Sequence, residues 1–138
     1  MTESSYLFVY GTLLKGSENL MSAFVKKKSE KVGRGSIRGR LFKVDFYPGA
    51  VFDPKSPIRI KGDILKLDQV EKVLEVLDGY EGFEEGDWEN SLFIRKVLPV
   101  QKDSGETLYC WVYLFHQATE PYPEIDSGDF LAYELGRT

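Results

Sequence analysis

Nine consecutive residues, Thr107 to Phe115, constrain the fold more than any other stretch because their alternation is apolar on both sides. Successive strand side chains point to opposite faces, so Leu108, Cys110, Val112 and Leu114 share one face and Tyr109, Trp111, Tyr113 and Phe115 the other. Such a strand needs cover on both faces and belongs to the middle of a layered or closed structure. Its partner is Leu92 to Val100, joined to it through Asp103-Ser104-Gly105 as an antiparallel hairpin.

Upstream, Tyr6-Leu-Phe-Val-Tyr10 reads as a buried first strand ended by Gly11-Thr12. A helix is expected from a Ser17 cap to about Lys28, with Leu20, Met21, Phe24 and Val25 at helical spacing. Gly33, Gly35 and Gly39 punctuate strands carrying Ile37, Leu41 and Val44, and Tyr47-Pro48-Gly49 signals a turn. Ala50 to Phe52 and Ile58 to Leu67 follow as strands, the second with room for a bulge at Gly62. Asp68-Gln-Val-Glu71 has capping-box spacing, and Val70, Val73, Leu74 and Leu77 behind it form the stripe of an amphipathic helix. Strand, helix, several strands, helix and hairpin, with no repeat or linker, define one α+β domain over residues 1–138. Its sheet is mixed or mainly antiparallel, closed into a β-barrel with a few flanking helices. The order of elements and the lack of GxGxxG exclude a Rossmann arrangement.

At 138 residues the chain removes about 68% of its unfolded surface from water, enough for a core without staples. No apolar run approaches the ~20 residues of a bilayer span, and Met1 to Ser5 lacks the regions of a signal peptide, so a soluble cytoplasmic protein without membrane contact is expected. The single cysteine, Cys110, and single histidine, His116, leave redox, zinc and Ser-His-Asp chemistry without their residues. Cys110 reads as a small core residue and His116 as a surface one. The net charge is −4, yet eight of the basic residues fall between Lys26 and Lys43 with only Glu30 against them, leaving −11 for the rest. The simplest reading of that strip is a solvated helix end and exposed strand faces, ahead of an anion or RNA contact, so no nucleic-acid partner is expected. The sequence carries no signal for an oligomeric state.

Glu81 is the first candidate for chemistry. At 100° per residue it lies about 20° from Val70, within the apolar stripe, if the helix continues past Leu77. A carboxyl aimed inward has its charged form disfavoured, and its pKa moves toward the range where it both takes and returns a proton. The alternative is that Gly79 and Gly82 end the helix early and Glu81 joins the solvated acids Glu84, Glu85, Asp87 and Glu89. The second candidate is Tyr10-Gly11-Thr12-Leu13-Leu14, where a strand stopping at Gly-Thr leaves amides free for an anion.

Several segments in order resemble the γ-glutamylcyclotransferase-like superfamily, with its AIG2-like members and γ-glutamylamine cyclotransferases. They are Phe8-Val9-Tyr10-Gly11-Thr12-Leu13 with Lys15-Gly16, Tyr47-Pro48-Gly49-Ala50-Val51, Gly62-Asp63-Ile64-Leu65, Leu77-Asp78-Gly79-Tyr80-Glu81-Gly82, Phe93-Ile94-Arg95, Trp111-Val112-Tyr113 and Ile125-Asp126-Ser127-Gly128-Asp129-Phe130. The resemblance implies a small barrel with the Tyr-Gly-Thr-Leu loop and Glu81 lining one cavity, and a substrate that is a γ-glutamyl amide. The substrate's own α-amine attacks the γ-carbonyl, giving 5-oxoproline and a free amine, so no cofactor or metal is needed. On this reading Glu81 is general base and then general acid. The amides of Gly11, Thr12 and Leu13 hold the α-carboxylate, and Tyr10 shapes the wall. Tyr113 either donates to substrate or oxyanion or is a core tyrosine with a satisfied hydroxyl. Arg95 reads as an ion-pair partner ahead of a substrate clamp. Phe93 stands where many members carry tyrosine and Phe130 where tryptophan is common. The loss at Phe93 motivates an alternative, a small-ligand-binding protein that keeps the cavity without turnover.

Overall fold

The computed structural model describes residues 4–11, 20–44, 47–84 and 86–134. Nine elements follow in chain order: β1 (Tyr6–Val9), α1 (Leu20–Lys27), β2 (Ser29–Lys43), β3 (Pro48–Phe52), β4 (Arg59–Leu67), α2 (Val70–Glu81), β5 (Phe93–Lys102), β6 (Thr107–Phe115) and α3 (Phe130–Glu134). The strands lie in the order β3-β2-β4-β1-β6-β5, and β5 pairs back onto β2 through Gly35–Lys102 and Ser36–Gln101. Five strands thus close into a barrel, as the sequence leads one to expect, with β3 appended to the far end of β2. All pairings are antiparallel except β1 with β6, which run parallel and meet at Leu7–Trp111.

The two apolar faces of β6 enter two different cores. Cys110, Val112 and Leu114 join Phe8, Ile37, Ile60, Ile64 and Val100 inside the barrel. Tyr113 and Phe115 pack outside it with Leu7, Val9, Val25, Val73, Leu74 and Leu77, between the barrel wall and the helices. β1 is split the same way, Phe8 inward and Leu7 and Val9 outward, so one short strand ties the two cores together.

Local expectations meet several corrections. The capping box at Asp68 does not form: α2 starts one residue later, capped by Gln69 in the left-handed region at φ 53° with no side-chain cap bond. The backbone here is set from outside the helix, since the Asp68 amide donates to the Lys28 carbonyl at 2.7 Å and Lys28 Nζ to Gln69 Oε1 at 3.1 Å. Pro48 and Gly49 open β3 and are not turn residues. The irregularity in the β2–β4 pair sits between Lys31 and Gly33, not at Gly62. Gly62 instead lets β1 come close, because a Cβ there would stand 2.2 Å from the Val9 carbonyl oxygen. Ser17 lies outside the described residues, and α1 packs its Val25 and Phe24 against the outer core.

The segment after β6 seals one end of the barrel. The Ile125 amide donates to Leu41 O at 2.7 Å, Lys43 N to Pro123 O at 2.9 Å and Lys61 N to Gly128 O at 2.8 Å, which carries Ile125 and Phe130 into the inner core. Much of the basic strip is used within the molecule. Lys31 and Arg34 reach the buried Asp63 at 3.4 and 3.2 Å, Arg40 reaches Glu124 at 2.8 Å and Lys43 reaches Glu134 at 3.5 Å. Among the described residues no helix is long and apolar enough to cross a membrane.

Candidate active site

The position of Glu81 is decided by where α2 stops. Val73, Leu74 and Leu77 are buried, each contributing about 2 kcal/mol, which outweighs the ~1 kcal/mol cost of Gly79 in the helix. The helix therefore runs through Gly79 and ends at Gly82, whose φ of 70° is the left-handed conformation of a C-cap and whose amide donates to Asp78 O. Glu81 is the last helical residue. It keeps the phase of the apolar stripe and lines a cavity of about 310 Å³. Around it stand Tyr10 and Gly11 from the end of β1, Tyr113 from β6, and Tyr47, Pro48, Tyr80, Leu92 and Phe93.

No hydrogen bond or ion pair reaches the Glu81 carboxyl among the described residues, and burial pushes its pKa from 4.5 up to about 7. Glu81 therefore exchanges a proton near neutral pH.

Two of the tyrosines that line the cavity with it, Tyr10 and Tyr113, do not. The Tyr10 hydroxyl donates to the Tyr113 carbonyl and accepts from the Ala50 amide at 3.2 Å. Burial, and secondarily the Glu81 charge, hold this phenol far above its ordinary range. The Tyr113 hydroxyl donates to Asp78 Oδ1 at 2.7 Å, and burial first, then that bond, keeps it neutral as well. Of the two readings of Tyr113, the geometry is that of the satisfied hydroxyl: its one proton faces Asp78, while its ring lines the cavity.

Asp78 is in turn gripped by Arg95, with Nε to Oδ1 at 2.8 Å and Nη2 to Oδ2 at 3.0 Å. The guanidinium stacks 4.5 Å above the Trp111 ring centroid and 5.6 Å from that of Phe83. Arg95 is thus an ion-pair partner, and the partner is a residue for which the sequence reading assigned no role. The signal was present in Leu77-Asp78-x-x-Glu81, since residues three apart on a helix share a face.

Gly11 fits where a side chain does not, because a Cβ would stand 2.6 Å from Pro48 Cγ. Thr12 and Leu13 lie outside the described residues. Phe93 is a buried wall residue, with its ring 6.1 Å from Tyr47 and 5.5 Å from Phe115. Tyr47, Pro48, Tyr80 and Leu92 join the site with no chemical signal in the sequence: the first three lie in the Tyr47-Pro48-Gly49 and Leu77-to-Gly82 segments, and Leu92 directly precedes β5. His116 is exposed, and Cys110 is buried in the barrel, where burial pushes its thiol up to about 12.

The closed mixed barrel thus carries one carboxyl among the described residues lining its cavity, Glu81, beside the end of β1. The family model described as gamma-glutamyl cyclotransferase, AIG2-like, matches residues 7–132, and the chain belongs to that family. No curated protein matches it. Among solved structures it is similar to YkqA from Bacillus subtilis, with 25% identity and a TM-score of 0.69 over 95% of this chain, which spans 41% of YkqA. It is also similar to an AIG2-like protein from Mus musculus, with 23% identity, a TM-score of 0.69, and coverage of 91% of this chain and 88% of that one. The uncharacterized protein PH0828 from Pyrococcus horikoshii shares the fold at 21% identity and a TM-score of 0.63, covering 96% of this chain and 95% of that one.

Proposed function

We propose that this chain is a cofactor-independent γ-glutamyl cyclotransferase acting on a γ-glutamyl amide. The observation that carries the reading is Glu81, a carboxyl that lines a small cavity without a partner among the described residues, where burial pushes its pKa up to about 7. A substrate bound with its α-carboxylate on the amides of Gly11, Thr12 and Leu13 brings its own nucleophile, so the protein has to fold the substrate and move protons. Holding amine and γ-carbonyl in contact supplies several kcal/mol of the barrier, as ring closures do.

Glu81 takes a proton from the α-ammonium, and the freed amine attacks the γ-carbonyl carbon. As the tetrahedral intermediate collapses, the bond to the amide nitrogen breaks and Glu81 returns its proton to that nitrogen. The ring nitrogen gives up its remaining extra proton as the released amine takes one up. The products are 5-oxoproline and an ammonium ion, with no water consumed. Tyr10 and Tyr113, both held neutral, form the wall.

The test is 5-oxoproline release from a panel of γ-glutamyl amides, with Glu81→Gln alongside. Product from the wild type alone supports the reading, and turnover by Glu81→Gln removes Glu81 from the mechanism. The second reading, a binder without turnover, is favoured by Phe93, which gives the cavity a hydrocarbon wall where many relatives place a hydroxyl. Ligand protection against unfolding with no product from any amide would support it.

A further inference from the structure

Among the described residues four large apolar side chains stand more than a third open to solvent, and two of them, Tyr80 at 43% and Leu92 at 37%, border the cavity that holds Glu81. Their placement follows from the helix end. Tyr80 is the residue before Glu81 in the last turn of α2. The Leu92 amide donates to the Gly82 carbonyl at 3.0 Å, and a Cβ on Gly82 would stand 3.3 Å from Leu92 Cβ, so the chain is fastened back onto the helix end with Leu92 beside it. The wall continues through Phe93 and Tyr47. Glu81 is the only Asp, Glu, Lys, Arg or His among the described lining residues. The connection from Gly82 to Leu92 carries exposed acids, Glu84 and Glu89, together with Asp87.

We propose that Tyr80 and Leu92 bind the substituent on the leaving nitrogen, and that this substituent is an uncharged aliphatic or aromatic group. The inference rests on the cyclotransferase reading and names its substrate class. Glu81 has to lie within hydrogen-bond reach of the leaving nitrogen to return its proton, so whatever that nitrogen carries passes the immediate neighbours of Glu81. An apolar substituent there covers Tyr80 and Leu92 from water. The carboxylate of a γ-glutamyl amino acid or of a lysine isopeptide would instead be desolvated against apolar side chains, with no cation among the described lining residues.

The experiment compares γ-glutamyl amides of isopentylamine and phenethylamine with those of glycine, of 1,4-diaminobutane and of the lysine ε-amine. It measures kcat/KM for 5-oxoproline release and Kd by calorimetry on wild type, Tyr80→Ser and Leu92→Ser. The apolar amides should lead the charged ones by about tenfold or more in both measurements, the scale of burying two or three methylenes. Either serine variant should bring that ratio toward one. Equal or reversed preference, or a ratio unchanged in both variants, overturns the proposal, and preference for the diaminobutane amide would mean that the acidic connection governs recognition. Binding that follows the expected order without any product retires the cyclotransferase reading and leaves the subsite standing. No binding by any amide retires both.

Discussion

Asp78 and Glu81 lie three residues apart on the last turns of α2 and have opposite surroundings: Asp78 is gripped by Arg95 and Tyr113, while Glu81 has no described partner and faces the cavity. One helix thus carries a carboxyl held by an arginine fork and a tyrosine hydroxyl, and another that faces the cavity with no described partner. A single amphipathic stripe supplies both positions, and the neighbouring strands decide between them.

Replacing the free carboxyl has an expected effect on rate. Glu81→Gln should lower kcat at least about a hundredfold, the usual contribution of a general acid–base. A folded variant, checked by circular dichroism, that keeps its rate would exclude the role.

The same substitution acts on stability with a definite sign. The Glu81 pKa is raised on folding, from 4.5 to about 7, so between those values the folded protein holds a proton that the unfolded chain has lost. Its contribution therefore declines as pH rises from 4.5 through about 7 and is level above. Glu81→Gln should be more stable than wild type at pH 8, by at most a few kcal/mol, with little gain at pH 4.5. Urea midpoints at the two pH values measure this.

The pH dependence of catalysis follows from the same group. A base that works ionised gives kcat/KM rising with unit slope to a bend near pH 7. A profile flat from pH 5 to 8 would assign the base elsewhere.

Arg95 should matter through Asp78. Their side chains are 15% and 19% exposed, and Arg95→Met leaves a carboxylate largely out of water without its fork. A loss of about 2–4 kcal/mol and a drop in Tm of roughly 10 °C are expected. Asp78→Asn in the same chain should recover a large part of it, since no charge is then left unpaired. A loss in the double variant equal to the sum of both singles would mean that the pair is not coupled.

Gly11→Ala tests the approach of β1 to Pro48. With a Cβ 2.6 Å from Pro48 Cγ, the strand end or the proline has to move. We expect a stability cost of about 1–3 kcal/mol and a fall in kcat/KM carried mainly by KM. An unchanged KM would place the substrate away from Gly11.

What was legible in the sequence were features that a single segment decides for itself. The double alternation of β6 demands cover on both faces, and the stripe Val70-Val73-Leu74-Leu77 gives Glu81 an inward phase, while whether the helix runs through Gly79 to reach it is decided by the packing of α2. Asp68 failed as a cap because Lys28, forty residues away, binds its amide. Tyr113 illustrates the same limit, since periodicity placed its ring correctly but the destination of its hydroxyl depends on Asp78, thirty-five residues earlier. Arg95 was legible as a charge in want of a partner, with nothing local to say which acid it would find.

The parallel pairing of β1 with β6 governs how this molecule comes into being. Leu7 meets Trp111 and Tyr10 meets Tyr113 across more than a hundred residues. A chain emerging from the ribosome therefore shows its first strand long before the neighbour that will flank it exists. Contacts so distant in sequence close slowly, and until β6 arrives both apolar faces of β1 need interim shelter from other chains. The cavity wall that joins Tyr10 to Tyr113 is therefore a late feature of folding, closed only once the chain has been made through β6.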